Sequence, residues 1–354
     1  MKDLVLPDLT PILPWYQANK RDLPWRHTRD PYRIWISEIM LQQTRVEAVK
    51  GYYQRFLDRL PDIESLAAVP DDELMKLWEG LGYYSRARNL KKAAVTVCEK
   101  HGGAFPQAYE EVLALSGIGE YTAGAICSFA FDLPYPAVDG NVLRVAARLL
   151  SFEGDILDPK NKKELTAAVE AAQPAAHAAD FNQAMIELGA TVCLPNGVPK
   201  CESCPLAGVC AARRAGRECE LPVRKKPAPR KIEERTVLIL RAGDTVALQK
   251  RPETGLLSGL FEPFCLAGKR TLAEVAAYLA EKGITPLYLT PLEDAKHIFS
   301  HIEWHMIGYE VILSPEDALT VCETLSRDLF FAPRDEIDKG FAIPAAYRAY
   351  RPYM

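Results

Sequence analysis

Leu113-Ala-Leu-Ser-Gly-Ile-Gly-Glu-Tyr-Thr-Ala-Gly-Ala125 sets a Gly-x-Gly turn between two helical runs. Glycines there let the backbone approach a ligand closely, and the amides that open the second helix can grip a phosphate. A tight helix-helix turn is the plainer reading of Gly-x-Gly by itself. On both sides the chain keeps the same character. From Leu9 to about Arg214 it reads as successive amphipathic helices of roughly 10 to 18 residues, separated by Pro61-Asp62, Val69-Pro70, Gly102-Gly103 and Leu133-Pro-Tyr-Pro136, with no convincing strand.

Around Leu221-Pro-Val-Arg-Lys-Lys-Pro-Ala-Pro-Arg-Lys231 the composition turns basic, Pro-rich and helix-poor, as in an extended linker. Beyond it, Thr236–Leu240 and Thr245–Gln249 read as two strands joined by Ala-Gly-Asp, Leu272–Lys282 as a helix, and Ala295–His301 and Glu303–Leu313 as further strands. The expected organisation is a helical domain over 1–220, a linker over 221–234 and an α+β domain over 235–354. A chain of 354 residues suits two domains. Hydrophobic residues at 48% and charged residues at 25% exclude a disordered or coiled-coil chain. A net charge of −4 gives no global positive field, so contact with nucleic acid has to come from local patches. Asp3, Asp8 and three prolines interrupt the start of the chain, and no run is apolar enough to span a membrane, which predicts a cytoplasmic protein with no membrane partner.

Two carboxylates stand in informative places. Asp30-Pro31 opens a helix, and Glu38 follows Ile34 and Trp35 on its apolar stripe. Desolvation there would raise its pKa and keep it protonated near neutrality, as a general acid requires. The alternative is a glutamate at the edge of that face, snorkelling to solvent or paired with Arg33 or Arg45. Asp139, in Val138-Asp-Gly-Asn141, sits where a helix N-cap sits. Capping explains it without function, yet the helix N-terminus would also hold it as an anion. An anionic carboxylate set against a protonated one is the division of labour that breaks a glycosidic bond through a cationic sugar.

Nine cysteines are not a disulfide framework in a reducing compartment, and four of them cluster as Cys193-x7-Cys201-x2-Cys204-x5-Cys210. Four thiolates in a Pro- and Gly-bearing loop can close around a tetrahedral iron or a cubane cluster. Zinc competes, although structural zinc usually takes two close cysteine pairs and only one Cys-x2-Cys exists here.

Leu115-Ser-Gly-Ile-Gly-Glu-Tyr-Thr-Ala123 resembles the helix-hairpin-helix that holds DNA backbone without reading sequence. With the loop ending in Asp139 and the four-cysteine loop, it resembles the endonuclease III superfamily of DNA glycosylases. Within it, Leu23-Pro-Trp-Arg26, Trp35-Ile-Ser-Glu-Ile-Met-Leu-Gln-Gln-Thr-Arg45, Glu79-Gly-Leu-Gly-Tyr-Tyr-Ser-Arg-Ala-Arg88 and Phe181-Asn-Gln-Ala-Met-Ile-Glu-Leu-Gly189 resemble the MutY-type adenine-DNA glycosylases. The resemblance implies an all-helical glycosylase domain with an iron-sulfur loop, followed by a Nudix-like α+β domain. It also implies a 4Fe-4S cluster on Cys193, Cys201, Cys204 and Cys210, although the first cysteine gap is one residue longer than the family's usual spacing.

Carried over by position, Glu38 matches the acid that protonates N7 of a flipped adenine, and Asp139 the carboxylate that stabilises the sugar cation. Tyr121 and Asn141 match supporting and orienting residues, and Trp25, Arg26, Leu41 and Gln183 the adenine pocket. Gln43, Thr44, Leu81 and Tyr83 match residues that probe or wedge the base stack, and Gly117, Gly119 and Thr122 the DNA-backbone grip. Strand-cleaving relatives carry a lysine where Tyr121 stands. In the second domain, Thr254–Glu262 and Phe299-Ser300-His301 resemble a Nudix-like domain that reads 8-oxoguanine, while Gly268–Ile284 lacks the paired glutamates of a hydrolase. The expected substrate is duplex DNA with adenine opposite 8-oxoguanine or guanine, handled by a monomer that leaves an abasic site. The competing readings are a bifunctional pyrimidine glycosylase/lyase and a non-catalytic, metal-stabilised DNA-binding protein.

Overall fold

The computed structural model describes residues 4–225 and 229–354. They form two compact units, Met1–Ala68 with Asn89–Lys226, and Val69–Arg88 with Pro227–Met354. The helices are α1 (Ile12–Asn19), α2 (Pro31–Leu41), α3 (Val46–Arg59), α4 (Ile63–Ala68), α5 (Asp71–Leu77), α6 (Ser85–His101), α7 (Tyr109–Leu113), α8 (Glu120–Phe131), α9 (Gly140–Leu150), α10 (Pro159–Ala172), α11 (Ala178–Thr191) and α12 (Ala211–Arg214). No strand occurs among the described residues up to 225, as the periodicity predicts.

Local sequence explains the helix starts. Asp30 caps α2 by accepting from the Tyr32 amide with Pro31 in the first turn, and Asp158 caps α10 ahead of Pro159. The core of the first unit joins α1, α9, α10 and α11 through Tyr16, Val145, Leu165, Phe181 and Met185, and Leu206 of the cysteine loop packs on it. Helices α2 and α8 are apolar nearly all round and accordingly run through the interior, with Trp35, Ile36, Ala123 and Ile126 wholly buried.

The second unit contains β1 (Lys231–Ala242), β2 (Thr245–Lys250), β3 (Phe261–Glu262), β4 (Phe264–Ala267), α13 (Leu272–Glu281), β5 (Tyr288–Ile298), β6 (Ile302–Leu313), α14 (Pro315–Thr324), β7 (Leu329–Pro333) and α15 (Arg334–Gly340). Strand order is β3-β2-β1-β6-β5, with β4 also on β1 and β7 on β2. β1 and β6 pair in parallel along their whole length, from Lys231 opposite Ile302 to Ala242 opposite Leu313, while the other pairs are antiparallel. Alternation along β1 fills two cores. Val237 and Ile239 meet Trp304, Met306 and Tyr347 on one face, and Leu238 and Leu240 meet Val275, Leu279 and Val311 on the other.

Three expectations change. The range 221–234 was read as linker, but β1 begins at Lys231 because its pairing with β6 extends past the buried run; Lys226–Ala228 lie outside the described residues. The strand read over Ala295–His301 is β5, which starts earlier and stops at Ile298. It is a largely exposed edge strand with Pro291 and a register shift between Leu292 and Ala295, so it carries no clean alternation. Val69–Arg88, read as part of the helical domain, belongs to the second compact unit.

Candidate active site

Glu38 lies in the most buried stretch of α2 and is only 6% exposed. Its carboxylate Oε2 accepts from the Tyr121 hydroxyl at 2.8 Å, across from the first turn of α8. Burial pushes the Glu38 carboxyl up to about 7; the Tyr121 bond opposes this, the Asp139 charge reinforces it and Arg26 opposes it again. Burial also pushes Tyr121 well above its ordinary range, so it stays a neutral phenol and a donor. Of the surface partners considered for Glu38, Arg33 faces Asp30 instead.

Asp139 caps α9 as its position predicts. Oδ1 accepts from the amides of Asn141 at 2.8 Å and Val142 at 2.9 Å, and Oδ2 accepts from Asn141 Nδ2 at 2.6 Å. Burial nevertheless pushes its carboxyl up, against those three bonds and Arg144, so the helix N-terminus does not by itself hold it low. The division of labour comes instead from donor counts. Asp139 receives three hydrogen bonds that favour its charged form, whereas Glu38 receives one, so burial meets less opposition at Glu38.

Small residues let this loop reach its place. A Cβ on Gly124 of α8 would lie 2.1 Å from the Pro136 carbonyl, and one on Gly189 of α11 would lie 2.6 Å from Asn141 Cβ. Arg144 donates to Asn141 Oδ1 at 2.8 Å and to the Gly189 carbonyl at 2.7 Å, which turns the Asn141 amide so that its NH₂ faces Asp139. Arg144 also donates to the Cys193 carbonyl at 2.8 Å. Asn182 holds the approach to Asp139 from the other side, accepting from Ala137 N at 3.0 Å and donating to the Tyr135 carbonyl at 2.9 Å.

Glu38, Tyr121, Asp139 and Asn141 face a cavity of about 540 Å³ whose wall also includes Trp25, Arg26, Leu41, Gln43, Thr44 and Gln183. The structure thus brings together the sequence-predicted catalytic and adenine-pocket residues, with Gln43 and Thr44, while the predicted glycines, Thr122 and the cysteines lie elsewhere in the first unit. Arg144 and Asn182 were not read from sequence as supports, and neither were two further groups. Glu187, wholly buried, binds Arg21 at 2.7 Å and Arg26 at 2.8 Å. Burial would raise its carboxyl, but the bonds from Arg21 and Arg26 outweigh that and bring it down to about 2. Tyr16 donates to Gln183 Oε1 at 2.8 Å, which orients the amide and leaves its NH₂ as a donor for a ligand. An arginine paired with a glutamate far along the chain, and a tyrosine on a distant helix, leave no local motif to find.

Helix α8 has Gly119 at its N-cap and so no side-chain cap, which leaves its first-turn amides open, and a Cβ on Gly119 would meet nothing within 4 Å. Gly117, at φ +77°, makes the preceding turn. Thr122 differs from expectation in its side chain: it is 2% exposed and its hydroxyl faces inward, accepting from Gln42 at 3.3 Å. Its side chain is therefore turned into the interior, and only its backbone amide stands in the first turn of α8.

Apart from the cysteines, the other predicted residues belong to the second unit. Leu81 is buried, and Tyr83, at φ +48° and 45% exposed, shares a 2.8 Å hydrogen bond between its hydroxyl and that of Ser300. Phe299 packs edge-on against Trp304, and His301 is exposed, its carbonyl accepting from Lys231 N at 3.1 Å.

Cys193, Cys201, Cys204 and Cys210 line one small pocket walled by Leu149, Leu188 and Leu206. Arg148 donates to Cys193 Sγ at 3.1 Å. Among the described residues, no three Cys, His, Asp or Glu side chains come close enough to hold a single ion.

Residues 36–173 match the HhH-GPD superfamily of base excision DNA repair proteins, and residues 235–351 match the NUDIX domain. The adenine DNA glycosylase of Buchnera aphidicola subsp. Baizongia pistaciae is 36% identical over 86% of this chain and 85% of its own length. That of Homo sapiens is 31% identical over 97% of this chain and 73% of its own. Among solved structures, a thermostable thymine-DNA glycosylase superposes with a TM-score of 0.54 at 34% identity, covering 58% of this chain and 94% of its own. A trapped endonuclease III–DNA covalent intermediate gives 0.51 at 26% identity, covering 59% and 95%. With a buried acid, a capped carboxylate and identity at this level over most of both chains, the protein belongs to the adenine DNA glycosylase family of base excision repair enzymes.

Proposed function

We propose that this chain is a monofunctional glycosylase that removes adenine mispaired with 8-oxoguanine or guanine in duplex DNA and leaves an abasic site. One observation carries the reading: a glutamate buried to a pKa of about 7 beside a carboxylate served by three donors, with a tyrosine rather than an amine between the helices that bear them. DNA-bound and covalently trapped endonuclease III among the structural neighbours supports a DNA substrate.

Protonated Glu38 gives its proton to N7 of the extruded adenine, and the electron pair of the glycosidic bond leaves with the base. The resulting cation at C1′ is stabilised by Asp139, which Asn141 and Arg144 hold in place. Water adds to C1′ and returns a proton to Glu38. Tyr121 has no nucleophilic amine, so no Schiff base forms and the strand stays intact. Gln183 and Arg26 supply directed polar groups in the pocket, and the open amides of α8 hold backbone phosphate.

The four cysteines fit a 4Fe-4S cluster: four soft donors line one small pocket together with Leu149, Leu188 and Leu206. When bound, the cluster supplies a structural cross-link for the 193–210 loop. In the second unit, Ser300 with Tyr83 contacts the partner base.

Duplexes with adenine opposite 8-oxoguanine, guanine or thymine test the reading. Free adenine, a strand that breaks only after alkali, and a preference for the 8-oxoguanine pair are expected. Efficient borohydride trapping of a DNA adduct contradicts it.

A further inference from the structure

Polar side chains of Val69–Arg88 are committed to the C-terminal part of the same compact unit. Lys76 Nζ donates to the Phe341 carbonyl at 3.0 Å and pairs with Glu79 Oε2 at 2.5 Å. Glu79 Oε1 accepts from the Ile343 amide at 3.1 Å and from Arg351 Nη2 at 3.4 Å. Past the turn, Arg88 forks onto Ser258, at 2.9 Å to its carbonyl and 2.7 Å to its hydroxyl.

Between these two anchors the backbone is tightly constrained. Gly80, Gly82 and Tyr83 have φ of +96°, +70° and +48°, and for Tyr83 that conformation persists only where its surroundings impose it. Trp78 Nε1 donates to the Gly82 carbonyl at 3.1 Å, and buried Arg86 donates to the carbonyls of Leu81 and Gly82 at 3.1 and 3.0 Å. At the end of this held turn, the Tyr83 hydroxyl meets Ser300.

We infer that Glu79 is a positioning residue for partner-base discrimination: with Lys76 and Arg88 it fixes the 80–83 turn to the C-terminal domain, so that Tyr83 and Ser300 form one reading surface. The inference rests on the proposed role of Tyr83 and Ser300. Glu79 takes donors from two separate parts of the chain, one of them a backbone amide, and so sets a position. Ion pairs of this partly exposed kind contribute little to stability. Telling 8-oxoguanine from guanine, by contrast, depends on polar contacts held to within about half an ångström.

The test is single-turnover adenine release opposite 8-oxoguanine and opposite guanine, side by side at one salt concentration, with the full-length, cluster-loaded protein. Glu79→Ala is expected to lower the ratio of the two rates on the order of tenfold, with the guanine-paired rate, Tm and iron content unchanged. Glu79→Gln, which can still accept from Ile343, should recover most of the ratio. In a Ser300→Ala background, Glu79→Ala should lower it no further. Equal slowing of both substrates, no change in the ratio, or additive effects of the two substitutions overturns the inference. A wild-type protein without preference overturns the proposed function itself, and that is read from the wild-type arm alone. If Glu79→Ala does not fold, Arg88→Lys loses the forked grip while keeping charge, and the same loss of ratio is expected.

Discussion

In the proposed mechanism the chemistry turns on Glu38 and Asp139, and each has a plain signature in the sequence: an acid on an apolar stripe, and an aspartate at a helix cap. Glu38→Gln and Asp139→Asn should each lower base release by at least roughly 10²- to 10⁴-fold while sparing duplex binding, measured by single-turnover kinetics and a binding assay. Glu38 also sets a pH dependence. Its folded-state pKa of about 7 lies above the ordinary 4.5, so the folded protein holds this proton more tightly than the unfolded chain. Stability from this group is therefore full below the unfolded pKa and is lost as pH rises through about 7, by up to on the order of 3 kcal/mol. Glu38→Gln, which cannot ionise, should raise Tm at pH 8 more than at pH 5. An equal change at both pH values contradicts a buried acid. Glu187 runs the other way: with its pKa at about 2, it stabilises above the unfolded pKa and loses that contribution as pH falls through about 2. Glu187→Gln leaves two arginines short of a counter-charge and should cost roughly 3 to 5 kcal/mol in denaturant unfolding.

At the scale of elements, the helices that carry the site were legible from their starts and their periodicity, because caps and stripes are local signals. The supports were not. Arg144, Asn182 and Glu187 each take a partner 45 or more residues away, and a single sequence does not show such pairs. β5 escaped reading along its first half because an exposed edge strand with a proline has no alternation to read. The close approach of α8 to the 133–138 loop was equally invisible, though it decides where Asp139 lies. Gly124→Ala drives a methyl into the Pro136 carbonyl, so the loop must shift; a loss of about 1 to 3 kcal/mol in stability and on the order of 10²-fold in rate is expected. For the cysteine loop, iron and inorganic sulfide in equal amounts are expected by chemical analysis, with a broad visible absorption. Zinc without sulfide contradicts a cluster. Cys204→Ser should reduce folded yield before it reduces the chemistry of the protein that does fold.

For the whole molecule, the domain division by composition was legible as a Pro-rich basic stretch. The membership of Val69–Arg88 in the second compact unit was not, since nothing in its own sequence marks Phe341, Ile343, Arg351 or Ser258 as partners. Ending the chain near Arg230 removes those partners and Ser300 together. Such a protein should keep more of its activity on adenine opposite guanine than opposite 8-oxoguanine, and limited proteolysis should cut it within 69–88 faster than the full chain. The most direct test of the chemistry is a single comparison: adenine release from an adenine–8-oxoguanine duplex by the wild type and by Glu38→Gln, with strand breakage scored before and after alkali. The expected result is release by the wild type, breakage only after alkali, and no release by the variant above roughly one part in a hundred. Release by Glu38→Gln within a few fold of wild type, or strand breakage before alkali, contradicts an acid-catalysed, monofunctional glycosylase.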